Sequence, residues 1–189
     1  MTKITPNFIK EVHAESDILI SESELAKAFD AIGDKLNKDL SNRNPIFVCC
    51  MNGGLMTTSE VVKRLVMPLQ IDYVHASRYK HDYAGGKLNW IKAPNLDFKG
   101  RAVVLLDDIL DGGITLAEIK KFYLAGGAAE VLTVVMLDKI TDREHEGLHV
   151  ADYVGLRVED RYVYGFGLDY HGYLRNVPAI YAVAEHHMI

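Results

Sequence analysis

The sequence predicts an α/β fold, a parallel twisted sheet with helices on both faces. Apolar runs of strand length recur at residues 46–51, 69–76, 102–107, 131–137 and 153–158. They are continuous rather than alternating, as strands covered on both faces are. Helical patterns stand between several of them, and strand–helix alternation builds parallel sheets. The 189 residues suit one domain with a small appendage.

The elements follow in order. Ser21 with Glu24 spells a capping box, and Leu25, Phe29, Ile32, Leu36 and Leu40 recur at helical spacing. Asn42-Arg43-Asn44-Pro45 breaks that helix. Residues 46–51 read as a buried strand, Asn52-Gly53-Gly54 as a turn and 55–66 as a helix. A strand at 69–76 leads into polar residues 77–89, a long loop or hairpin tip containing Gly85-Gly86. The strand at 102–107 precedes a helix marked by Leu116, Ile119 and Tyr123, which Gly126-Gly127 ends. Strands at 131–137 and 153–158 complete the set. Sites in such sheets lie at the carboxyl ends of the strands.

Composition narrows the function classes. About half the residues are apolar and a quarter charged, as in soluble globular proteins. The net charge of −5 argues against a nucleic-acid partner, which wants basic stripes. No apolar run approaches a membrane span, and no signal-peptide pattern opens the chain, so no membrane partner is expected. The two cysteines, Cys49 and Cys50, are adjacent in an apolar run, which points to reduced, buried thiols and a cytoplasmic location.

One stretch carries chemistry most plainly. After Val103-Val104-Leu105-Leu106 come Asp107 and Asp108, then Asp111-Gly112-Gly113-Ile114-Thr115. Two glycines let the backbone turn its amides inward, and a helix start adds free N–H groups and the positive dipole end, which together suit phosphate. Carboxylates beside a phosphate cradle accept ribose hydroxyl protons, hold Mg²⁺ or act as a base. A Walker loop is excluded because no Gly-Lys-Ser/Thr follows, and no G-x-G-x-x-G is present.

This stretch resembles the phosphoribosyl-pyrophosphate (PRPP) signature of type I phosphoribosyltransferases: four apolar residues, two acids, two further residues, then Asp-Thr/Ser-Gly-x-Thr. Gly112 stands where a Thr or Ser is usual, which removes one hydroxyl contact and leaves the amide. The resemblance implies that Asp107, Asp108, Asp111, Gly112, Gly113, Ile114 and Thr115 bind PRPP. Further motifs follow the hypoxanthine–guanine branch. Met51-Asn52-Gly53 stands at the pyrophosphate turn, with Asn52 in place of the usual Lys. Ser77, Arg78 and Tyr79 open the segment that closes as a lid. Lys139 matches the residue that donates to the 6-oxo group of a purine. Tyr162 matches the aromatic that stacks on the base, Val163 the backbone that reads the purine edge, Asp169 a Mg²⁺-associated carboxylate beside the purine, and Arg175 a pyrophosphate contact. The resemblance spans residues 46–175.

It therefore implies a type I phosphoribosyltransferase fold, with a core at about residues 21–158 and a small hood from 1–20 and 159–189. It implies purine salvage: transfer of the phosphoribosyl group of PRPP to N9 of hypoxanthine, guanine or xanthine, which all present a 6-oxo group. Asp111 is the expected base or acid at N7. Mg²⁺ is the expected cofactor, with Asp107, Asp108 and Asp169 around it, and a homodimer or homotetramer is the expected assembly. The alternative is a nucleotide-binding RNA regulator on the same fold. Two other features are expected to be bland. His145-Glu146-Gly147-Leu148-His149 spells H-E-x-x-H, but Gly147 and its place between strands argue against a zinc helix. His186-His187 reads as a solvated tail.

Overall fold

The computed structural model describes residues 4–78, 88–143 and 145–188. Its helices are α1 (Pro6–Glu15), α2 (Glu22–Leu40), α3 (Gly54–Val62) and α4 (Ile114–Ala125), with a short 3₁₀ helix at Glu185–His187. Its strands are β1 (Asp17–Ile20), β2 (Ile46–Cys50), β3 (Gln70–Arg78), β4 (Leu88–Lys92), β5 (Ala102–Leu110), β6 (Glu130–Ile140), β7 (Tyr153–Glu159), β8 (Val163–Tyr164) and β9 (Ile180–Ala182).

The main sheet has the order β4-β3-β2-β5-β6-β7. Strands β3, β2, β5, β6 and β7 run parallel, and β4 is an antiparallel edge. One face packs against α2 and α3 through Leu25, Phe29, Ile32, Leu36 and Val61. The other packs against α4 through Leu116, Ile119 and Tyr123. The continuous apolar strands were thus a sound guide: every side chain of β2 is buried. A second sheet, β1-β9-β8, gathers the two ends of the described chain, and α1 covers it through Ile9 and Val12. Its Ile20, Val163 and Ile180 join the α2 core, so the two layers share apolar contacts.

Local chemistry explains the boundaries. At α2 the capping box is present, with Ser21 N donating to Glu24 Oε2 (2.8 Å) and Glu24 N to Ser21 Oγ (3.4 Å). All five residues of its predicted apolar stripe are buried. α3 stops four residues short of the expected 66. There Asn37 of α2 donates to the Arg64 carbonyl (2.9 Å) and accepts from Val66 N (2.9 Å), taking backbone groups that a longer helix would use. β5 runs past the expected end at Asp107 because β6 is long enough to pair with Ile109 and Leu110. The ends of the 77–89 segment lie in strands. Ser77 and Arg78 end β3 and pair antiparallel with Asn89 and Leu88 of β4; Tyr79, the third expected lid residue, lies outside the described residues.

Cys49 and Cys50 are free and buried, as expected, and burial pushes both thiols up. His186-His187 is not a solvated tail. His187 is buried, because its backbone carbonyl accepts from the Tyr170 hydroxyl (2.7 Å) and its ring packs edge-on to Phe8. The H-E-x-x-H segment forms turns rather than a helix. No helix among the described residues is long and apolar enough to cross a membrane.

Candidate active site

Parallel strands put their carboxyl ends on one edge, and the turn after β2, the turn after β5 and the end of β6 meet there. Asp111-Gly112-Gly113 joins β5 to α4. Gly113 sits at φ 76° as the helix N-cap, and a Cβ there would overlap the Leu148 carbonyl. Its own carbonyl accepts from Ala117 N (3.0 Å) and Leu148 N (3.1 Å). The H-E-x-x-H segment therefore braces this turn. Gly113 offers no side-chain cap, so the first amides of α4, with Ile114 and Thr115, are left for an incoming anion. Thr115 is the second helical residue rather than the cap.

Asp107 lies within β5 as expected, and Asp108 does too. Asp107 accepts from Asp108 N (3.0 Å), and Asp108 accepts from Ile109 N (2.7 Å). Burial, joined by the charge of Asp108, holds Asp107 well above the usual carboxylate range, and burial raises Asp108 too. The Arg175 charge offsets part of the rise at both. Two glycines make room for the pair. A Cβ on Gly53 would overlap the Asp108 carboxylate, and one on Gly167, at φ 107°, would overlap the Gly53 carbonyl. The turn after β2, the acids and the 165–175 loop are thus in contact. The Met51 amide donates to the Val74 carbonyl (2.8 Å), so Met51 has no main-chain donor left over. The Met51–Asn52 peptide is cis.

At the end of β6, the Lys139 ammonium lies 2.8 Å from Asp160 and 3.5 Å from Asp111. Burial by itself would lower its pKa, but the two carboxylates overcome that and raise it. Tyr162 is partly exposed and packs on Tyr170 with ring centroids 5.6 Å apart. Val163 is buried in β8. Asp169 pairs with Arg175 (2.5 Å) and accepts from Gly172 N (2.7 Å). Arg175 also donates to the Gly167 carbonyl (2.5 Å).

Two contributors escaped the sequence reading. Asp160 lies two residues before Tyr162 and holds Lys139; its signal was only its place in an aromatic segment. Arg143 ion-pairs with Asp138 and donates to the carbonyls of Asp111 (3.1 Å), His149 (2.9 Å) and Lys139 (3.0 Å). No periodicity announces a cation that ties two turns to a strand end. Chemically, the edge offers an amide cradle, a buried acid pair, an exposed carboxylate beside an ammonium, and an aromatic face.

Residues 16–171 match the family model described as a phosphoribosyl transferase domain. The chain is 32% identical over 169 residues to a hypoxanthine-guanine phosphoribosyltransferase of Streptococcus pneumoniae, covering 89% of this chain and 93% of that protein. It is 26% identical over 168 residues to a hypoxanthine-guanine-xanthine phosphoribosyltransferase of Tritrichomonas foetus, covering 89% and 91%. A solved hypoxanthine phosphoribosyltransferase of Staphylococcus aureus superposes with a TM-score of 0.85 at 26% identity, over 97% of this chain and 98% of that one.

Proposed function

The chain belongs to the phosphoribosyl transferase domain family, and from that premise we propose how its residues act on PRPP and a 6-oxopurine. It is a purine-salvage enzyme that joins C1′ of PRPP to N9 of the base and releases pyrophosphate. The observation that carries the residue assignment is the 3.5 Å pairing of Lys139 with Asp111. On a 6-oxopurine the N7 and 6-oxo positions are neighbours on one edge. An ammonium beside a carboxylate is the matching pair: Lys139 donates to the 6-oxo group, and Asp111 takes the N7 proton. Adenine puts a donor where Lys139 needs an acceptor.

The N9 lone pair attacks C1′ as the bond to pyrophosphate breaks. Electrons flow from the base to the leaving group, and the N7–H proton passes to Asp111. The first-turn amides of α4, with Gly112 to Thr115, hold the 5′-phosphate. Asp107 and Asp108 accept the ribose hydroxyls, Asn52, Gly53 and Arg175 contact the pyrophosphate, and Tyr162 stacks on the base beside the backbone of Val163. Holding both substrates supplies much of the rate through orientation.

The donor set fits Mg²⁺. The acids present hard oxygens, and a cation favours the charged forms that burial, with the Asp108 charge at Asp107, disfavours. Asp169 is the carboxylate that would hold it, with Asp107 and Asp108 nearby through the ribose. When bound, Mg²⁺ offsets the charge developing on pyrophosphate.

Replacing Lys139 by Met tests the base assignment. A hydrogen bond from a charged donor is worth about 1.5–3 kcal/mol, so kcat/KM for hypoxanthine should fall about 10–100-fold while adenine changes little. An unchanged hypoxanthine-to-adenine ratio would refute this role. The RNA-regulator reading gains no support from the relatives, whose names are those of enzymes. We also propose a cytoplasmic homo-oligomer. Its support is the pair of free thiols and the exposed Leu55, Ile71 and Tyr73, which line one apolar groove. Light scattering behind size exclusion would contradict it by returning a monomer mass.

A further inference from the structure

Outside the residues that bind substrate, two imidazoles and a carboxylate converge on one point. Glu15 ends α1, and His186 and His187 lie 171 and 172 positions later. Both histidines aim Nε2 at the same oxygen, Glu15 Oε2, at 2.7 and 2.9 Å. One donor atom from each of the three residues lies within 4.8 Å of the others. It is the one such group of three among the described residues.

The ligands are held differently. The His187 side chain is only 6% exposed. Its ring meets Phe8 edge-on at 5.5 Å, and its backbone carbonyl is fixed by Tyr170. The orientation of its Nε2 is therefore set by packing before anything binds. His186 and Glu15 are 66% and 45% exposed, which leaves an open side for an ion to enter and for a water ligand. Tetrahedral zinc with bonds of about 2.0–2.1 Å spaces its ligand atoms roughly 3.3 Å apart, so the two contacts to Glu15 Oε2 need open by only about half an ångström. Two imidazole nitrogens and one carboxylate oxygen suit Zn²⁺ and not Mg²⁺, which prefers oxygen alone.

We propose that Glu15, His186 and His187 form a zinc site with one position open to water, which ties α1 to the 185–187 helix. Tyr170, which anchors His187, also packs against Tyr162, so the clasp braces the wall of the purine site. It is separate from the Mg²⁺ proposed for the phosphate edge.

The test uses tag-free protein stripped with a chelator, held in millimolar Mg²⁺ to occupy the active-site carboxylates. Zn²⁺ is then titrated in competition with a chromophoric chelator, and melting is followed with and without the metal. The expected result is one zinc per chain and a higher melting temperature. In His186→Ala, whose lost ring is exposed, affinity should fall at least about tenfold, since loss of even an outer partner of a metal costs 10–100-fold. Glu15→Gln should weaken binding in the same way. Three results would overturn the site: no zinc held by the native chain, zinc held equally by both variants, or stabilisation that depends on pH and not on zinc.

Discussion

Asp107 and Asp108 set chemistry against stability. Folded-state pKa values raised above the ordinary carboxylate value mean that the native chain holds protons more tightly than the unfolded one. Stability is then lost as pH rises from the ordinary value through the raised one, and the loss is constant above that. Asp107→Asn removes the charge and keeps an acceptor for Asp108 N. At neutral pH the unliganded variant should melt higher, by at least about 2 °C if the relief reaches 1 kcal/mol, while transfer falls. Below the ordinary carboxylate pKa the two proteins should melt alike. Calorimetry at acid and neutral pH checks this, and a variant that melts lower at neutral pH would contradict it. Both acids stood out in the sequence through the signature, and Lys139 through its separate match at a strand end. Asp160 was not legible, because its part is to hold Lys139 by an ion pair that only the fold creates.

Two turns and a strand end depend on one side chain. Arg143 is 12% exposed and its partner Asp138 16%, and it donates to the carbonyls of Leu110, Asp111 and Lys139. Arg143→Ala leaves the mostly buried Asp138 carboxylate only the longer contact to exposed Arg157 (3.6 Å), at a cost of about 3 kcal/mol. Melting should fall, and kcat should fall with it because Asp111 and Lys139 lose their common anchor. Lys in its place should not restore activity, since one ammonium does not reproduce the forked donors. Steady-state kinetics of both variants decide the point; full activity in Arg143→Lys would refute the positioning role. Strand positions in the main sheet and the α2 stripe were readable from apolar spacing. The ends of β5 and α3 were not, because β6 pairing and the Asn37 contacts set them from elsewhere in the chain.

At the scale of the molecule, the main sheet supplies the edge with Asp107, Asp108 and the turn into α4; Tyr162 directly precedes β8 of the small sheet, and the loop after β8 carries Asp169 and Arg175. Alternating strands and helices announced the first. The second has strands of only two to four residues drawn from both ends of the described chain, too short and too scattered for any periodic signal. Its place was legible only through resemblance. On the proposed reading these layers together make one site for PRPP and a purine, so the direct measurement is nucleotide formation from PRPP and Mg²⁺ with hypoxanthine, guanine, xanthine, adenine and uracil, beside Asp111→Asn. The account predicts turnover of 6-oxopurines and not of adenine or uracil. It also predicts a kcat about 10²–10⁴-fold lower in the variant with PRPP binding little changed. Turnover of adenine in preference to hypoxanthine, no turnover of any base, or full activity in Asp111→Asn would contradict it.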